Sequence, residues 1–137
     1  MKKLTIELPW PPRGLSPNAR LNIYSKNNLF QKTKRGAHVA VRLAMARAGI
    51  PAIALRGGTQ KRDGGRLNLT LICQPPLLRY RDEDNLIANC KAVFDGIAEA
   101  AQVNDCLFHF REQEWLPPDP EKRGHLTVIL DWEEDDE

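Results

Sequence analysis

Asp82, Asp84, Lys91, Asp95 and Asp105 carry the most suggestive chemistry in the chain, within the stretch RYRDEDNLIANCKAVFDGIAEAAQVNDCLF of residues 79–108. Asp82 and Asp84 are two apart, a spacing that sends both carboxylates to one side of an extended backbone, while Asn85 onward has the composition of a helix with Asp84 at its mouth. Two carboxylates about 4 Å apart repel by about 1 kcal/mol in water and about 4 at an effective dielectric of 20, so such a pair needs a cation. Lys91 is one candidate. A hard divalent ion is the other, because Mg²⁺ takes oxygen ligands from one or two carboxylates together with waters and substrate phosphate. The same residues also have a purely structural reading, with Asp as a helix cap, acids favouring the helix dipole, and Lys91 and Asp95 as an i,i+4 pair on a solvated face.

These side chains need a helix to position them. Leu86, Cys90, Val93, Phe94, Ile97 and Ala101 recur at three- and four-residue steps and predict one buried stripe. Asp84, Ala88, Lys91 and Asp95 fall at i, i+4, i+7 and i+11 and predict a second, charged one.

Charge separates the chain into two parts. Leu8 to Arg62 holds eleven Lys or Arg and no Asp or Glu, although the net charge of the 137 residues is only +2. A basic half beside a carboxylate cluster suits a protein acting on a polyanion, with cations to hold phosphates and a metal to react with one of them. The length is that of one domain with a two-layer core. No apolar run reaches the length of a membrane span, and MKKLTIELPWPP has no long apolar stretch before its prolines, so a cytosolic location is expected. Cys73, Cys90 and Cys106 lack metal or redox spacing, sit in apolar runs, and read as reduced core residues.

The supporting elements follow in order. Lys3 to Leu8 alternates and predicts a strand ended by Pro9, Pro11 and Pro12. Arg13 to Asn28 reads as a loop carrying Arg13, Arg20 and Lys26. A helix is predicted from Phe30 to Ala48, with Val39, Leu43, Ala46 and Ile50 as its inner stripe and Gly49 as its stop. Arg35, His38 and Arg42 share another face, open either to solvent or to phosphate. Arg56 to Arg66 reads as a mobile glycine-rich loop without P-loop spacing. Leu67 to Cys73 predicts a half-buried strand. A further strand opens at Asn104 and Asp105, with Cys106, Phe108 and Phe110 facing one way. Trp115 to Arg123, with three prolines, predicts a turn or loop; Gly124 to Trp132 predicts the last strand, and the EEDDE ending a disordered acidic tail. The order β-α-β-α-β-β points to a single two-layer α+β domain over residues 1–132, a mixed, largely antiparallel sheet covered by two helices, with residues 133–137 as the tail.

The opening Ile6 to Pro12 (IELPWPP), Arg79 to Leu86 (R-x-R-D-x-D-N-L), Phe94 to Ile97 (F-D-G-I) and Asn104–Asp105, in this order, resemble the RusA-type Holliday junction resolvases, small phage-associated endonucleases that cut four-way DNA junctions. The resemblance covers most of the chain. It implies a homodimer using Mg²⁺ or Mn²⁺, with Asp82, Asp84 and Asp105 as the metal-site residues. The family lysine, often four residues after the second aspartate, falls here on Ala88, and the lysine is Lys91, with the F-D pair displaced alongside it. The implied reaction is metal-assisted phosphodiester hydrolysis, in which Lys91 would neutralise charge on the transition state and Asn85 and Asp95 would support the metal ligands from behind. Arg13, Arg20, Lys32, Lys34, Arg35, Arg42, Arg79 and Arg81 are the expected DNA contacts. A competing reading is a non-catalytic DNA-binding protein of the same fold.

Overall fold

The computed structural model describes residues 2–12, 15, 20, 22–51, 67–77, 83–103 and 108–132. Strands β1 (Lys2–Pro9), β2 (Leu67–Gln74), β3 (Phe108–Trp115) and β4 (His125–Trp132) form one sheet in the order β1-β4-β2-β3. β4 runs antiparallel to both β1 and β2, and β2 runs parallel to β3. The alternation seen in the sequence puts Leu4, Leu130 and Leu69 in one cross-strand row, Ile6, Val128 and Leu71 in the next, and Leu8, Leu126 and Cys73 in a third. All nine are buried, which identifies the sheet face that the helices cover.

α1 spans Ile23–Ala48, α2 Glu83–Asn89 and α3 Lys91–Ala101. The architecture is the expected two-layer α+β domain, with one difference in connectivity. The last two strands are not neighbours, because β2 lies between them. A parallel β2–β3 pair requires a crossover, which α2 and α3 supply, and β4 then occupies the slot between β1 and β2. The link from β3 to β4 is ordered by Asp119, whose carboxylate accepts the backbone N–H groups of Glu121 (3.0 Å), Arg123 (3.2 Å) and Gly124 (3.0 Å). Those bonds, Glu121's foremost, hold the Asp119 carboxyl below its ordinary pKa.

α1 begins seven residues earlier than Phe30, at Ile23, with Asn22 as its cap accepting from Ser25 N at 2.8 Å. Its first turns project beyond the core, leaving Ile23 and Tyr24 exposed, so apolar periodicity gave no sign of them. Gly49 ends it as expected, in the left-handed conformation at φ 66°. The inner stripe is not Val39, Leu43 and Ala46 but Ala37, Val41 and Met45; Val39 is 58% and Leu43 48% exposed. At the contact with α3 the inward residue is the small Ala37. A Cβ on Gly96 of α3 would run into the Lys34 carbonyl oxygen and lie 2.9 Å from Ala37 Cβ and 3.1 Å from His38 N. The two helices therefore touch backbone to backbone.

Cys73 and Cys90 are buried in the core, as expected, and burial pushes the Cys90 thiol up to about 12. Cys106, the glycine-rich loop of residues 56–66 and the acidic tail of residues 133–137 lie outside the described residues. Among the described residues, no helix is long and apolar enough to cross a membrane.

The Gly96 contact sets an expectation for stability. Gly96→Ala should cost about 1–3 kcal/mol by overpacking, since the obstructing atom is backbone. Gly36→Ala on α1, where a Cβ meets nothing within 4 Å, should stabilise by about 0.5–1 kcal/mol through helix propensity. Urea denaturation of both variants checks the pair.

Candidate functional site

The segment from residue 83 to residue 101 is two helices rather than one. It breaks at Cys90 (φ −88°, ψ 5°), whose N–H is shared between the carbonyls of Leu86 (3.0 Å) and Ile87 (3.2 Å). Asp84 is the second residue of α2 rather than the residue before it, so the extended-backbone argument for Asp82 and Asp84 does not apply to Asp84. The expected apolar stripe is buried throughout: Leu86, Cys90, Val93, Phe94, Ile97 and Ala101.

On α3, burial extends to Ala92, Gly96, Ala98 and Ala100. What remains is one polar row at i, i+4 and i+8: Lys91, Asp95 and Glu99. Lys91 opens α3, where the helix dipole disfavours a cation, and Asp95 Oδ1 compensates at 3.0 Å from its Nζ. The lysine is 62% exposed and the aspartate 25%, so the pair faces solvent from one side. Glu99 reaches across to α1, 3.1 Å from Lys34 Nζ. His38 Nδ1 also lies 3.0 Å from Glu99, at ion-pair distance but without the alignment of a hydrogen bond. The hydrogen bond from Lys34, then its charge, holds the Glu99 carboxyl below its ordinary value of 4.5.

Lys91 opens on a depression of about 330 Å³ shared with Ile87, Ala88, Phe94, Phe108 and Phe110. Phe94 and Phe110 meet edge to face at 5.1 Å and tie α3 to the edge strand β3. Ile87 and Ala88 follow Asp84 by three and four residues, and Phe108 follows Asp105 by three. The depression is thus where α2, the start of α3 and β3 meet. Ala88 and Lys91 line the same space.

The other expected residues divide three ways. Lys32, Arg35 and Arg42 are exposed on one face of α1, and Arg20 is exposed before it. Lys34 is turned toward α3 and engaged by Glu99. Asp82, Asp105, Arg13, Arg79 and Arg81 lie outside the described residues, and Asp84 and Asn85 are described as backbone. Among the described residues there is no group of three or more His, Cys, Asp or Glu able to hold a metal ion. Asp95 is the acid described beside Lys91 and is paired with it.

No known family model matches the chain. An uncharacterized protein of Xylella fastidiosa (strain Temecula1 / ATCC 700964) is 35% identical to it over 108 residues, which is 79% of this chain and 63% of that relative. The chain therefore spans less than two thirds of the relative's length.

Sequence reasoning missed the Glu99 clamp, although the i+8 spacing from Lys91 was there to read. It also missed an apolar cleft beside Trp10, which no local pattern announces because its walls come from β1 and α1. The clamp has a pH signature. A carboxyl with a depressed folded pKa contributes stability that is present above its unfolded value of 4.5 and lost as pH falls through the folded one. Melting temperature should therefore fall more steeply with acidification below pH 4.5 in the wild type than in Glu99→Gln, and parallel curves would show the clamp to be idle.

Proposed function

We propose that this protein is a metal-dependent endonuclease of the RusA type, which resolves four-way DNA junctions by paired phosphodiester hydrolysis. The observation that supports the reading is the depression beside Lys91, where Ile87 and Ala88 of α2 and Phe108 and Phe110 of β3 surround a cation held by Asp95. The motifs R-x-R-D-x-D-N-L and F-D-G-I support it from the sequence, and Gly96 acquires a structural role as the point where α3 meets α1. The acid-free helix and the candidate site then belong to one layer.

Asp82, Asp84 and Asp105 would hold Mg²⁺ or Mn²⁺, which supplies Lewis-acid polarisation of a phosphate and a more acidic attacking water. Lys91 offsets negative charge as it grows on the phosphoryl oxygens, and Asp95 fixes where that ammonium sits. Asn85, next to Asp84 in the sequence, would hydrogen-bond the ligand set. Lys32, Arg35 and Arg42 on α1, with Arg13, Arg20, Arg79 and Arg81, hold the phosphate backbone and fix its register without reading sequence. Lys34, being clamped, contributes chiefly to the helix contact. A homodimer gives the two-fold symmetry that two opposed cuts in a junction require.

Incubation of a labelled four-way junction and a matched linear duplex with Mg²⁺, Mn²⁺ or EDTA tests the proposal. Paired nicks in the junction are expected with either metal and none with EDTA. Asp82→Asn and Asp84→Asn should abolish cleavage while junction binding survives. Binding without any cleavage by the wild type would support the non-catalytic alternative. Lys91→Ala should slow cleavage by about 10²-fold, the scale of removing one transition-state donor. Because Ala88 lines the same depression, adding Ala88→Lys to Lys91→Ala should restore part of the rate; full activity of Lys91→Ala would exclude the lysine from the chemistry.

A further inference from the structure

A second concavity lies on the other side of α1. The end of β1 and the residues after it form one wall, through Glu7, Leu8, Pro9 and Trp10, and α1 forms the other, through Lys32, Gly36 and Ala40; the cleft measures about 430 Å³, its lining is mainly apolar, and the Glu7 carboxylate accepts from Thr127 Oγ1. That size and apolar character lie in the range of sites for a small organic group. Trp10 is held as a wall. Its ring meets Trp115 edge to face at 6.1 Å, and Gly124 passes so close that a Cβ there would lie 2.8 Å from Trp10 Cβ. On the opposite wall Gly36 leaves the space open, since a Cβ there meets nothing within 4 Å.

The charge pattern around α1 says what kind of group this is. At about 100° per residue, Lys32, Arg35 and Arg42 share one exposed face, and Gly36 follows Lys32 about 40° further round the helix, with Ala40 another 40° beyond. Lys32 therefore stands at the boundary, exposed like the other cations and lining the cleft. A phosphate held on that face has the cleft as its immediate neighbour. A nucleotide is a ligand in which an anion and a flat apolar ring are joined in that way.

We infer that the cleft between Trp10 and Gly36 receives an unpaired nucleobase of the nucleic acid whose backbone rests on the α1 cations. The inference builds on the nucleic-acid part of the proposed function and adds the class of structure recognised. A base inside a duplex is stacked and paired and cannot enter, whereas a base at a branch, bulge or end can be received at little cost. Stacking on an aromatic wall gives sequence-tolerant affinity, because every base has a π-face.

The test uses the full chain in EDTA, so that nothing is cut, and two duplexes that differ only in a one-nucleotide bulge, which carries either an adenine or an abasic sugar. Fluorescence anisotropy should show the adenine bulge bound about 5-fold or more tighter than the abasic one, in line with single-base stacking contributions. Gly36→Leu, which fills the cleft from a helical position with open space around it, should bring that ratio to about one. Trp10→Ala should do the same, with circular dichroism melts confirming that both variants fold. Tight binding with a ratio of one in the wild type, or a ratio that persists in Gly36→Leu, would overturn the base site and leave the nuclease reading intact. Failure of the wild type to bind either duplex at low salt would overturn the base site together with the α1 phosphate surface on which it rests.

Discussion

The contact on which the rest of the structure depends is the one at Gly96, where α3 presses on the Lys34 carbonyl and Ala37 of α1 with no side chain between them. Because the helices meet so closely, α3 is buried on nearly every face, and its polar groups are confined to the row Lys91, Asp95 and Glu99. Each end of that row has a separate task. Glu99 fastens α3 to α1 through Lys34, while Asp95 fixes the ammonium of Lys91 at the helix break. The same contact orients α1. With Ala37, Val41 and Met45 turned inward, Lys32, Arg35 and Arg42 face out, and the cleft beside Trp10 opens between them and the sheet edge.

The sheet contributes a second constraint. A parallel β2–β3 pair forces the chain through a helical crossover, and that crossover is the segment that carries the candidate site. β3 lies at the sheet edge, where Phe108 and Phe110 are free to line a depression rather than fill the core. Asp131, on the face away from the helices, is buried but satisfied, accepting from Asn68 Nδ2 at 3.0 Å and lying 3.4 Å from Arg111 Nη2. A buried carboxylate without such partners would be strongly destabilising.

Much of this was legible in the sequence wherever side-chain periodicity reflects burial directly. The strands at Leu4–Ile6–Leu8, Leu67–Leu69–Leu71 and Leu126–Val128–Leu130 alternate because one face meets the core, and the structure follows that alternation. The stripe of Leu86, Cys90, Val93 and Ile97 was legible for the same reason. α1 misled because its contact is made by Ala37 opposite a glycine, so closeness rather than apolarity determined which face is buried; Val39 and Leu43 are more apolar and stand outside. The break at Cys90 was hidden because the buried stripe passes through it without losing period. The Trp10 cleft was hidden because its walls are distant in the chain, and a glycine such as Gly36 carries no signal of the space it leaves.

The account joins an exposed cationic face on α1 to a candidate reaction site on α3, and the salt dependence of junction binding tests that union most directly. For each phosphate contact removed from duplex-like arms, the log–log slope of affinity against salt should become shallower by about 0.9. The variant combining Lys32→Gln, Arg35→Gln and Arg42→Gln should bind a four-way junction more weakly than the wild type and lose between about one and three such contacts from its slope. The same slope and the same affinity in the variant would contradict the account, because α1 would then not be the surface that holds the nucleic acid.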